Sequence, residues 1–267
     1  MTPYFLYTLR IKKLEQDISR ALEDCDPDAI HDVRVSIRRM LMLCSVLKES
    51  GKAPYSKKEL RILKKKFRRA GALRDIQVQL HLLNSWEDKL QLRFDLYKQH
   101  LERRGKTLQK YFRTAFLTIN LKKAIPNRVS RIAYRRAIEK GLQGLDDDFR
   151  LALQQTGSLH KLRIISKKLK YTLEVQQACY PGFGSTETFR KYLAQVQDLL
   201  GAWHDIETGL QHINYFIKRH RIKIADPALY DNLIAFMRKE KETILLEIRS
   251  ELQKQIPIKE LLSVVLS

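Results

Sequence analysis

Basic side chains recur in this sequence at three- and four-residue spacing, which places them on one face of a helix. In "HDVRVSIRRM", His31, Arg34 and Arg38 fall within roughly 60° of arc at 100° per residue, with Arg39 at one flank. "HKLRIISKKLKY" repeats the pattern with His160, Arg163, Lys167, Lys168 and Lys170, followed by Tyr171. A third stripe is denser: Lys57, Arg61, Lys64, Lys65 and Arg68 lie within about 100° of arc, with Lys66 and Arg69 beside them. A weaker fourth comprises Arg128, Arg131 and Arg135. Successive cations stand about 5–6 Å apart. Like charges at that spacing destabilise a helix by a few tenths of a kcal/mol per pair. A single stripe would read as a solvated face with snorkelling stems. Several stripes, two at matching positions, suit a linear polyanion instead. Arginine forks take phosphate oxygens two at a time, and lysines add point charge.

Each of the two histidine-led phrases is followed some 40 residues later by a second repeated phrase, "GALRDIQVQL" from Gly71 and "GAWHDIETGL" from Gly201. His31 pairs with His160, Arg34 with Arg163, Arg38 with Lys167 and Arg39 with Lys168. Gly71 pairs with Gly201 and Asp75 with Asp205. The two aspartates are read as structural, orienting arginines of the first phrase by ion pairing or capping a locally broken helix. Changes at Gly71 and Asp75 are therefore expected to act mainly on folding.

The histidines also raise an enzyme reading. His31-Asp32 and His204-Asp205 resemble the His-Asp pairs of helical metal-dependent phosphohydrolases. The repeat weighs against it, since Asp32 is matched by Lys161 and His204 by Arg74. Cations would then stand where ligands belong. The chain has no Gly-rich phosphate loop, GxSxG elbow or Cys/His nucleophile pattern. The reading is non-catalytic, with no metal and no cofactor.

The elements positioning these residues are helices. Gly (10) and Pro (7) are scarce in 267 residues, which disfavours strand-and-turn folds. Apolar spacing predicts helices over about 3–23, 26–49, 56–83 with a kink at Gly71, and 86–118. A linker is expected at 120–127, then helices over about 128–154, 158–178, 187–220 and 227–255, a turn at 180–186 and a short apolar tail. Asp26, Pro27 and Asp28 mark one start clearly, as cap, first-turn proline and dipole partner. The expected fold is all-α, two tandem pseudo-symmetric four-helix bundles at 1–122 and 123–267.

Composition bounds the partners. Fifty-one Lys+Arg against thirty Asp+Glu give a net charge of +21 and a pI near 9.9. That much self-repulsion favours a polyanionic partner: nucleic acid, an anionic membrane surface or a phosphate polymer. The bland alternative is a basic protein with no particular anion. The apolar fraction of 44% supports a core. No apolar run is long enough to span a membrane. Three widely spaced cysteines, Cys25, Cys44 and Cys179, read as free thiols in a reducing compartment, so a cytoplasmic location is expected.

The stretches "DPDAIHDVRVSIRRM", "FRRAGALRDIQVQL", "LHKLRIISKKLKYTLEV" and "VQDLLGAWHDIETGL" together resemble the CHAD domain, the conserved-histidine α-helical domain. The resemblance covers the chain from its first helix to about residue 255. It implies a single CHAD domain made of the two bundles around a basic central channel, binding inorganic polyphosphate and associated with polyphosphate granules. The channel residues it implies are His31, Arg34, Arg38 and Arg39, with His160, Arg163, Lys167, Lys168, Lys170 and Tyr171. The stripe pattern adds Lys57, Arg61, Lys64, Lys65 and Arg68. A triphosphate tunnel enzyme or polyphosphate kinase acting in trans is the implied protein partner. The chain departs from the family pattern in two ways. Lys170 stands where arginine is common, and "ETFRKYLAQVQD" has lost most of the charge of the third stripe. The first half is therefore expected to bind more strongly. Duplex nucleic acid, which needs only phosphate contacts, stays open as an alternative. Single-strand binders need interleaved aromatics, which the stripes lack apart from Tyr171.

Overall fold

The computed structural model describes residues 2–51, 55–117, 131–154, 159–180, 187–220, 224 and 226–253. Among them are eight helices and no strand. They are α1 (Pro3–Asp24), α2 (Pro27–Glu49), α3 (Lys57–Leu90), α4 (Asp95–Phe116), α5 (Arg131–Gln154), α6 (Leu159–Cys179), α7 (Glu187–His220) and α8 (Pro227–Gln253). The expected linker at 120–127, the turn beyond Tyr180, Arg128 and the apolar tail lie outside the described residues.

Capping fixes the start of the helix that carries the first basic phrase. The Asp26 carboxylate accepts from the backbone N–H of Asp28 and Ala29, and Pro27 opens α2. Ser56 and Glu59 form a reciprocal capping box at α3. The helix expected to stop at 83 instead runs to Leu90, and α4 starts at Asp95, not at 86. The turn between them contains neither Gly nor Pro, and Gln91 takes the left-handed conformation at φ 53°. Glu87 holds it. Its buried carboxylate accepts from Phe94 N–H at 2.9 Å and pairs with Lys98 at 3.1 Å and Arg93 at 3.4 Å. Burial opposes the ionisation of Glu87, but these partners outweigh it and hold the carboxyl below its usual value.

Sequential helices pack as hairpins, α1 on α2, α3 on α4, α5 on α6 and α7 on α8; α2 also packs on α3 and α6 on α7. Contacts between the sequence halves run from α2 to α5 and α6, from α3 to α7 and, more sparsely, from α1 to α6. The buried apolar side chains form two clusters, and each draws on both halves of the sequence. One contains Leu14, Ile37 and Leu73 with Phe149, Leu169 and Leu200. The other joins Ile76, Trp86 and Leu101 to Ile206, Ile213 and Leu233. The three cysteines are buried and free.

Helices α3, α4, α7 and α8 supply buried side chains to both clusters, and α3 and α7, of 34 residues each, carry the glycine–aspartate phrases across the junction. On α3 the first cluster ends at Leu73 and the second begins at Ile76; on α7 the corresponding residues are Leu200 and Ile206. Asp75 and Asp205 stand in those gaps, so the second repeated phrase marks a polar layer between two apolar ones. Both helices run through their glycines unbroken.

Candidate anion-binding site

The polar layer is where the histidine-led phrases arrive. Arg34 of α2 donates to the Gly71 carbonyl at 3.2 Å and pairs with Asp75 at 3.2 Å. Its guanidinium lies 5.5 Å from the Phe67 ring centroid. A Cβ on Gly71 would stand 3.6 Å from the Arg34 Cζ, an ordinary van der Waals contact, so the arginine packs directly against this stretch of α3. One turn along, the Arg38 guanidinium sits between two aromatic faces, 5.3 Å from Phe67 and 5.7 Å from Tyr171, and donates to the Tyr171 hydroxyl at 3.3 Å. Tyr171 belongs to α6, so this arginine ties the two repeats together.

From α6, Arg163 and Lys167 join the same cluster. Burial, then repulsion from Arg163, Arg38 and Arg34, brings the Lys167 ammonium down to about 7. Burial likewise leads the lowering at Arg163, where Asp205 opposes it and Arg38 and Arg34 add to it. The Arg163 Nε is buried without a hydrogen-bond partner among the described residues. Asp205, on α7, is raised by burial against the pull of Arg163 and Lys167. Four cations from two helices therefore share two carboxylates, Asp75 and Asp205, in a partly desolvated layer. Cations so placed are costly unless an anion joins them.

The histidines stand at the edge of this cluster. His160 is exposed, its ring 5.8 Å from that of His204. Burial, then Arg163, His160 and Lys167, takes His204 down to about 4, so its imidazole is neutral at physiological pH. Burial and Arg74 lower His31, whose neighbour Asp32 pairs with Arg20 of α1. The two His-Asp dipeptides therefore face basic groups.

The remaining sequence-derived residues distribute unevenly. Arg39 turns to another cleft, where its guanidinium makes two bonds with Glu174 at 2.7 and 3.3 Å beside Arg10, Lys13 and Arg190. Lys168 is exposed and Lys170 half-buried; neither has an ion pair among the described residues. Lys57, Arg61, Lys64, Lys65 and Arg68 form an exposed row on α3, with no ion pair and no bond to the Arg34–Lys167 cluster among the described residues. Lys66 is buried instead, donating to the Ala115 carbonyl and lying 5.3 Å from the Phe116 ring, which fastens α3 to α4. Gly201 would meet nothing within 4 Å if it carried a Cβ, unlike its counterpart Gly71.

Two features escaped the sequence. Phe67, the shelf under both arginines, shares the i, i+4, i+8 face of Gly71 and Asp75, a spacing that could have revealed it. Gln79 joins the repeats through an amide donated to the Asp205 carbonyl at 2.8 Å; an isolated glutamine carries no such signal.

The CHAD domain profile matches residues 7–214. The chain belongs to the CHAD domain family. The fold of this CHAD domain is similar to the crystal structure of the CHAD domain from the plant Ricinus communis, with 16% identity and a TM-score of 0.54 over 98% of this chain and 89% of that one. No curated protein matches it. No helix among the described residues is long and apolar enough to cross a membrane.

Proposed function

We propose that this CHAD domain is a non-catalytic module that binds inorganic polyphosphate in a basic channel between two pseudo-symmetric helical repeats. The observation that carries the reading is the convergence of Arg34 and Arg38 from one repeat with Arg163 and Lys167 from the other. Burial, reinforced by repulsion from Arg163, Arg38 and Arg34, brings Lys167 to about 7, and among the described residues Asp75 and Asp205 are the carboxylates that offset this charge. A chain of linked phosphates would supply the missing negative charge to all four at once. The exposed row from Lys57 to Arg68 would extend its path, and the module would deliver polyphosphate to a tunnel enzyme or kinase in trans, or hold the protein on polyphosphate granules.

The aromatic groups favour this ligand over single-stranded nucleic acid. Tyr171 is buried and Arg38 already covers the Phe67 and Tyr171 faces, so neither ring offers a base a stacking platform.

Titration calorimetry with long-chain polyphosphate, repeated in excess single-stranded RNA, tests the reading. Tight binding that RNA does not displace is expected, with affinity falling steeply as salt rises. The Arg34→Glu/Arg38→Glu variant should lose binding at unchanged helicity. Binding equal to wild type would remove these residues from the site.

A further inference from the structure

Away from the Arg34–Lys167 cluster, α4 and α7 enclose a cleft of about 590 Å³, within the range of small-molecule pockets. From α4 it is lined by His100, Arg103 and Arg104, and from α7 by His212, Tyr215, Arg219 and His220. Among the described residues, no carboxylate lines it. Arg103 and Arg104 have no ion pair among the described residues, and Arg219 donates only to the Tyr215 hydroxyl, at 3.0 Å. The three guanidiniums are exposed and the three imidazoles half-buried behind them.

Two of the imidazoles are packed without being satisfied. His100 and His220 rings lie 5.2 Å apart, each against Phe216. His212 Nδ1 and His220 Nε2 are buried with no hydrogen-bond partner among the described residues. Buried polar atoms without partners are uncommon and point to a group that completes them. The surroundings indicate its sign. Burial leads the lowering of both His100 and His212, with His220, Arg104 and Arg219 adding to it at His100 and Arg104 at His212; the opposing carboxylate at His212 is Asp75 of α3. A metal cation would meet three fixed positive charges here, whereas an anion would relieve them.

We infer that this α4/α7 cleft is a second anion site, taking a ligand with two or three linked phosphoryl groups. Each wall carries its donors about one helical turn apart, roughly 5–6 Å, which suits adjacent phosphoryl groups better than a single tetrahedral anion. The inference stands apart from the polyphosphate reading, because it shares no residue with the α2/α6 cluster.

The test is titration with tripolyphosphate, followed by calorimetry and by the imidazole ¹H–¹⁵N signals of His100, His212 and His220. These signals should move in the wild type and in Arg34→Gln/Arg38→Gln. They should stay still in Arg104→Gln/Arg219→Gln, which replaces two exposed guanidiniums with neutral amides and should weaken this site by at least about tenfold. Parallel titrations with ATP and inorganic sulfate separate the sources. An equal response to ATP assigns the cleft to nucleotide triphosphate tails, and a response to tripolyphosphate alone assigns it to free oligophosphate. Unmoved wild-type signals, an equal response to sulfate, or unchanged binding in Arg104→Gln/Arg219→Gln would each overturn the inference. Loss of the α2/α6 reading alone would instead show as unaltered long-chain binding in Arg34→Gln/Arg38→Gln.

Discussion

Lys167 gives the polyphosphate reading a signature that depends on proton linkage. Its ammonium titrates at about 7 in the folded chain against an ordinary 10.5. It is therefore about half charged at pH 7 and about one per cent charged at pH 9. A phosphate chain bound beside it would hold the proton. The free energy of supplying that proton then enters the apparent affinity, as log(1 + 10^(pH − pKa)). From pH 7 to pH 9 this amounts to up to about fiftyfold weaker binding from this one group. Above pH 7 the lowered histidines His31 and His204 are already largely neutral, so they add little to the slope.

Lys167→Arg isolates the effect, because a guanidinium stays charged throughout the window. Polyphosphate dissociation constants should be measured for both proteins at fixed ionic strength across that range. The wild type should weaken with pH and the variant should stay nearly flat; any titration of the ligand itself is common to both. Parallel slopes would mean that Lys167 does not meet the anion. The free protein should show the opposite trend. Between about 7 and 10.5 the unfolded chain binds more protons at this position, so stability rises with pH there and is lost as pH falls through the folded value.

Other substitutions separate structural from binding roles. Glu87→Ala strands the Phe94 N–H and Lys98 at a carboxylate site that is 0% exposed, and should cost about 3–5 kcal/mol in urea unfolding; a loss under about 1 kcal/mol would show that the turn does not depend on it. Gly209→Ala would bring a Cβ to 2.5 Å from Gln79 Oε1 and 2.9 Å from Met237 Cε, the ends of two flexible side chains that must shift, and with the gain in helix propensity set against that shift it should change stability by less than about 1 kcal/mol. Gly201→Ala, which meets nothing within 4 Å, should stabilise by about 0.5–1 kcal/mol, both changes being read by thermal melts.

The sequence showed most clearly what obeys a period or repeats. Apolar spacing located all eight helices, and the Asp26-Pro27-Asp28 signal marked a true start, because caps and amphipathic faces are local physics. The α3/α4 boundary was misplaced because its turn depends on Glu87 reaching Phe94, Lys98 and Arg93, with no glycine or proline to announce it. Within the cluster, Arg34, Arg38, Arg163 and Lys167 were visible because each appears at its repeat-equivalent place. Arg39 shares that pattern, yet one residue of helical rotation, about 100°, carries it to Glu174 and another cleft. The α4/α7 residues were passed over because nothing in the other repeat echoes them. Their common lining depends on two distant helices meeting.

Asp75 bears on how the cluster is tuned, and here the structure shifts the expectation away from folding. The aspartate could position Arg34 for an anion or mask it from one. The Gly71 carbonyl and the Phe67 face also hold Arg34, whose side chain is 19% exposed, so its placement does not rest on the carboxylate. Asp75 itself is 51% exposed, and an ion pair that open contributes little to stability. Its negative charge, however, stands among the cations a polyanion must meet, where a unit charge near 4 Å is worth about 1 kcal/mol even at the dielectric of water. Masking should therefore prevail, and Asp75→Asn should tighten polyphosphate binding by about three- to tenfold at low salt, with the gain shrinking as salt rises. If Asp75→Asn weakens binding at an unchanged melting temperature, the carboxylate is a positioning residue and Arg34 must be held in its paired geometry to engage phosphate.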